Sequence, residues 1–142
     1  MTRTIEHLTP ARVEELWPYI EPLLYSVCLE GIDAPIPMDP EYIRITAQHG
    51  VTDILGIFDK EHLDLIVVSE FTVVCGVKTA SISAMAGKGL LKARSEVWQD
   101  ILAWYKAAGA RAVDAYAKPR LARVYQQKFG FDQGCSYVRM AL

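Results

Sequence analysis

The sequence predicts a mixed α/β sheet with helices on both faces. Three observations carry that prediction. Residues 51–85 hold three β-rich runs in succession, separated by short turns; residues 90–129 then read helix, strand, helix; and helical patterns fill most of the first 50 residues. Strands joined by tight turns pair antiparallel, whereas a strand–helix–strand unit returns parallel, so the two together make a mixed sheet. We expect a single domain over residues 1–142, with a helical N-terminal part at 1–50 and the sheet at 51–142. A chain of this size, 51% apolar and 23% charged, can bury a core without disulfides or metal.

Thr9-Pro10 opens the first helix, with a hydroxyl for the N-cap and a proline where the N–H has no helical partner. Val13, Leu16, Trp17, Ile20, Leu23, Leu24 and Val27 follow at helical spacing. Pro18 and Pro22 fall inside the pattern and predict a break near Trp17, giving two pieces, the second ended by Gly31. Ala34-Pro35-Ile36-Pro37 predicts a loop. Asp39-Pro40-Glu41 starts a short third helix that Gly50 can cap.

Val51 to Phe58 reads as a strand and Asp59 to His62 as the turn after it. Leu63 to Val74 is long and β-branched, which predicts a central strand buried on both faces. Cys75-Gly76-Val77-Lys78 permits a reversal into a strand over Thr79 to Met85. Leu90 to Ala108 carries Val97, Ile101, Trp104, Tyr105 and Ala108 along one helical stripe, with Gly109 as its stop. Ala112 to Ala117 is a short strand. Lys118-Pro119 begins a last helix with Leu121, Ala122, Val124, Tyr125 and Phe129 apolar, closed by Gly130. Phe131 to Leu142 supplies a final strand or strand pair, so the expected order is α-α-α-β-β-β-α-β-α-β.

Net charge is −2, which gives no overall pull toward nucleic acid or membrane. The distribution is uneven: residues 78–128 hold ten Lys and Arg against three acids, leaving the rest of the chain strongly acidic. That asymmetry suits an anionic ligand or acidic partner, or solvated helix faces. Cys28, Cys75 and Cys135 are odd in number and set among apolar neighbours, so they read as reduced core residues. His7, His49 and His62 lack metal-ligand spacing, and no metal is expected. Met1 to Glu6 has no apolar core of the kind a signal peptide needs, and no run approaches the ~18 apolar residues of a membrane span.

Chemistry concentrates at Ser81 to Gly109. An alternating run ends in Ala86-Gly87-Lys88-Gly89, and a long helix begins at Leu90. Strand, glycine turn and helix in that order is a common seat for a phosphate, because free N–H groups at a helix start attract anions. With the following strand and Ala122-Arg123-Val124-Tyr125-Gln126-Gln127-Lys128-Phe129-Gly130-Phe131, the chain resembles the GNAT acetyltransferase superfamily over about residues 51–142. Ala122, Tyr125, Gly130 and Phe131 fit its A-x-x-Y-x-x-x-G-F helix pattern. The resemblance implies a GNAT-like fold, Gly87, Lys88, Gly89 and Leu90 against the pyrophosphate of acetyl-CoA, and Tyr125 as general acid. For the general base, Glu70 on the strand before is the available carboxylate.

The pattern also departs from the family. Ala84 stands where the phosphate arm usually begins with Arg or Gln, and Gly87 follows the strand almost directly. Leu65 to Phe71, Ala86 to Gly89, Ile101 to Tyr105 and Lys128 to Phe131 look like the GNAT-like proteins of tailed bacteriophages, which often lack the full catalytic signature. Two functions are therefore expected in this order. The first is a phage structural or assembly protein without catalysis or cofactor, made in the host cytoplasm, with other virion proteins or further copies of itself as partners. The second is an acetyl-CoA-dependent N-acetyltransferase acting on an amine.

Overall fold

A computed structural model describes residues 3–28, 39–115, 117, 119–132 and 140. The elements run β1 (Thr4–His7), α1 (Pro10–Cys28), α2 (Pro40–Gln48), β2 (Thr52–Asp59), β3 (His62–Val74), β4 (Val77–Gly87), α3 (Leu90–Ala107), β5 (Ala112–Ala115) and α4 (Pro119–Lys128). They form a five-stranded sheet in the order β1-β2-β3-β4-β5. The first four strands are antiparallel, and β5 returns parallel to β4 after α3. The mixed sheet with helices on both faces is thus as the sequence predicts.

Strand alternation splits the core into two layers. Leu55, Ile57, Leu65, Val67, Ala80 and Ile82 face α3 and α4, meeting Val97, Trp98, Ile101, Tyr105, Tyr125 and Phe129. Ile54, Ile66, Val68, Ala84 and Ala86 face α1 and α2, meeting Val13, Trp17, Ile20, Leu24, Ile43 and Ala47. Two polar pairs lie inside: Tyr105 donates to Ser69 Oγ at 2.9 Å, and Trp98 Nε1–H donates to the Phe129 carbonyl at 3.1 Å. The Lys78 ammonium donates to the Ala108 carbonyl at 2.7 Å, placing a cation at the negative end of α3.

Two bulges interrupt the ladders. Ile57 pairs with Leu65 and Phe58 with Leu63, so Asp64 is the extra residue of β3. Val68 pairs with Ala84 and Ser69 with Ile82, so Ser83 is the extra residue of β4. Each bulge reverses which face the following side chains take. Hence Ile82 and Met85 share the α3/α4 face, three residues apart, while Ala84 and Ala86 turn to the other.

Four expectations need correction. The first helix does not break: α1 runs unbroken through Pro18 and Pro22. Both prolines are exposed, as is Glu14, so the Glu14 and Pro18 carbonyls that lose their helical donors lie on the solvent side, where water can serve them. Burial of Val13, Trp17, Ile20 and Leu24 at about 1.5–3 kcal/mol each outweighs two prolines at about 3 kcal/mol each. The chain enters the sheet with a strand, β1, not with a helix. Cys75 is not a core residue; it sits exposed in a two-residue turn with Gly76, both at positive φ (51° and 79°). Strand β4 also runs two residues further than expected, to Gly87.

Other expectations stand. Asp39 caps α2 by accepting from the Glu41 N–H at 3.0 Å, and Gly50 follows the helix end at φ 71°. β3 is buried on both faces from Leu65 to Ser69. Gly31 as a helix stop, the loop at 34–37, Lys118, Cys135 and, apart from Phe131, Asp132 and Met140, the final strand or strand pair expected over 131–142 lie outside the described residues.

Candidate functional site

The site forms where β4 leaves β5. The parallel pairing covers only Thr79 to Ile82 against Ala112 to Ala115. From the Ser83 bulge to Gly87, β4 continues with β3 on one side and no partner on the other among the described residues. That open edge runs straight into the start of α3.

Gly87 and Gly89 do different things there. A Cβ on Gly87, whose φ is 140°, would lie 2.2 Å from the Asp64 carbonyl oxygen and 2.6 Å from the Leu65 Cα. The Lys88 N–H donates to that same carbonyl at 3.0 Å. Gly87 is thus a glycine because the backbone crosses the β3 bulge at contact distance. Gly89 is the N-cap of α3 in the left-handed region (φ 72°, ψ 34°), and no side chain caps the helix. No acid occupies the first turn, and Lys88 is exposed beside it. The first turn of α3 therefore offers unsatisfied N–H groups in a positive field, a fit for a phosphate.

Ala84 stays within the β3-paired part of β4 and is buried against α1 and α2. A small side chain therefore sits where the usual arm begins with Arg or Gln.

Tyr125 lies on α4, buried on the α3/α4 face and edge-on to Phe129, with ring centroids 5.6 Å apart. Burial pushes its phenol up to about 12. Its hydroxyl has no hydrogen-bond partner among the described residues. Glu70 lies on the opposite face, within the row Thr52–Glu70–Ser81–Asp114 that crosses four strands. Thr52 donates to Glu70 Oε1 at 3.1 Å and Tyr42 from α2 at 3.3 Å. The carboxylate's charge in turn pushes the Tyr42 phenol up. Tyr125 and Glu70 are therefore not in contact; the sheet separates them.

Four contributors escape sequence reasoning. Asp64 seats the glycine turn through a backbone carbonyl, which no side-chain pattern announces. Thr52 and Tyr42 hold Glu70 from elements far apart in sequence. Asp114, in register with Ser81, has an Oδ1 that is fully enclosed and without a hydrogen-bond partner among the described residues; a lone acid in a short apolar strand is its only sequence signal. Among the described residues no His, Cys, Asp and Glu side chains gather as a metal-ligand group, and no helix is long and apolar enough to cross a membrane.

No family model and no curated protein sequence matches the chain. Solved structures do. An aminoglycoside acetyltransferase from an uncultured soil metagenomic sample superimposes with a TM-score of 0.70 at 14% identity, over 99% of this chain and 96% of that one. The ribosomal-protein-alanine N-acetyltransferase of Brucella melitensis gives 0.63 at 19% identity, over 99% and 100%. A transcriptional regulator from Bacillus halodurans C-125 gives 0.67 at 13% identity, over 99% and 99%. The chain has the fold of the GNAT acetyltransferases. At these identities the likeness shows the fold alone. Nothing in these matches supports the expected tie to phage proteins.

Proposed function

We propose that the protein is an acetyl-CoA-dependent N-acetyltransferase, the second of the two functions expected from sequence. The observation that supports it most is the open β4 edge leading into the uncapped start of α3. A fold likeness that spans the chain and includes acetyltransferases adds to it. In this reading the α3 N–H groups after Gly89, with Lys88, hold the pyrophosphate, and the free edge of Ser83 to Ala86 pairs with the amide-bearing arm of the cofactor. Bound acetyl-CoA supplies an activated thioester carbonyl.

The chain's own groups then manage protons. Tyr125, kept neutral by burial, holds a proton at its phenol oxygen that it can give to a departing thiolate. Glu70, steadied by Thr52 and Tyr42, takes the proton of an ammonium arriving from the α1/α2 side. Asp114 adds a second carboxylate on that side, which suits a cationic acceptor. The test is acetyl transfer to a panel of amines. Tyr125→Phe lowers kcat about 100-fold or more at unchanged melting temperature, and Glu70→Gln lowers the rate chiefly below the acceptor's own pKa. Transfer that is absent, or indifferent to both substitutions, overturns the reading and returns the fold to a non-catalytic role, which the dedication of Gly87 to β3 would favour.

A further inference from the structure

The glycine turn is gripped from both sides by one side chain outside it. Arg3, just before β1, reaches Asp64 Oδ2 through Nε at 3.4 Å and Glu96 Oε2 through Nη1 at 3.0 Å. Its side chain is only 12% exposed. Asp64 is the bulge residue whose carbonyl accepts the Lys88 N–H and against which Gly87 is pressed. Glu96 stands on the second turn of α3, just past the helix start. The guanidinium thus ties the strand beneath the turn to the helix beyond it. A planar fork can hold two carboxylates in fixed directions, which a single ammonium cannot.

We propose that Arg3 is a positioning residue for the start of α3: by bridging Asp64 and Glu96 it fixes how the helix leaves β4, and so how well its first N–H groups hold the pyrophosphate of acetyl-CoA. The last clause rests on the acetyltransferase reading; the bridge itself does not. Arg3 touches neither cofactor nor acceptor, so its effect falls on affinity and not on the chemical step.

The experiment has two arms on the full chain. Amide hydrogen exchange is followed at Lys88 and, for reference, at Val67 in the sheet centre, in the wild type, Arg3→Ala, Arg3→Lys and Glu96→Gln. Calorimetry with CoA, and KM against kcat for acetyl-CoA, follow in the same proteins. The expected result is Lys88 exchange faster by about tenfold in Arg3→Ala and Glu96→Gln with Val67 unchanged. CoA affinity then weakens by a similar factor, KM rises, kcat holds, and Arg3→Lys recovers only part. Unchanged Lys88 exchange, or equal acceleration at Lys88 and Val67, overturns the bridge. If wild-type protein gives no CoA heat, the acetyltransferase reading fails, while the exchange arm still decides the bridge.

Discussion

Gly87 is the residue on which the turn depends. Its missing side chain leaves room for the Asp64 carbonyl, and the contact is backbone to backbone, with nothing flexible to yield. Gly87→Ala is expected to cost on the order of 4 kcal/mol in denaturant unfolding, whereas Gly50→Ala, which meets nothing within 4 Å and bears only the strain of its positive φ, costs about 1 kcal/mol. The pattern Gly-x-Gly is plain in the sequence, but its reason is not, because the partner is a backbone atom 23 positions earlier in the chain. Two buried phenols add a pH signature. Burial is the main cause that pushes both Tyr105 and Tyr125 up to about 12, above the usual value near 10. The folded state keeps protons that the unfolded chain releases, so their contribution is whole below pH 10 and falls as pH rises toward 12. The unfolding free energy from urea titrations between those limits should drop by about 1.4 kcal/mol per pH unit for each tyrosine, and Tyr105→Phe or Tyr125→Phe should each remove one share of the slope.

At the level of elements, sequence periodicity locates α2, β2, β3, β4, α3 and α4 to within a few residues, because each buries a regular stripe. It misplaces the break in α1 by treating proline as decisive. Pro18 and Pro22 stand on the outer face while Trp17 and Ile20 anchor the inner one, and burial wins. Pro18→Ala should therefore leave the helix where it is, restore a donor to the Glu14 carbonyl and raise stability by about 1–3 kcal/mol in thermal or denaturant unfolding. β1 goes unread because four residues, Thr4 to His7, show only two alternations, too few to stand out. Its place comes from pairing with β2 and from Ile5 packing on the α3/α4 layer. The bulges at Asp64 and Ser83 are equally silent in sequence, since one added residue leaves a β-rich run looking continuous.

For the whole molecule, the layered sheet decides what the candidate residues can do. Tyr125 and Glu70 look like an acid and a base when set side by side in a sequence, yet the fold puts a sheet between them. Beyond Ile82, β4 has no partner on the β5 side among the described residues, and this strand edge leads to the start of α3, which no side chain caps. Of the positive segment 78–128, Lys88 stands exposed in the turn before this helix start. We propose that this edge holds acetyl-CoA. Titration calorimetry of the wild-type chain with acetyl-CoA tests it most directly. Saturable one-to-one binding in the micromolar range, weakened at higher salt as a phosphate contact requires, is the predicted result. No heat with the protein itself at high micromolar concentration would contradict it.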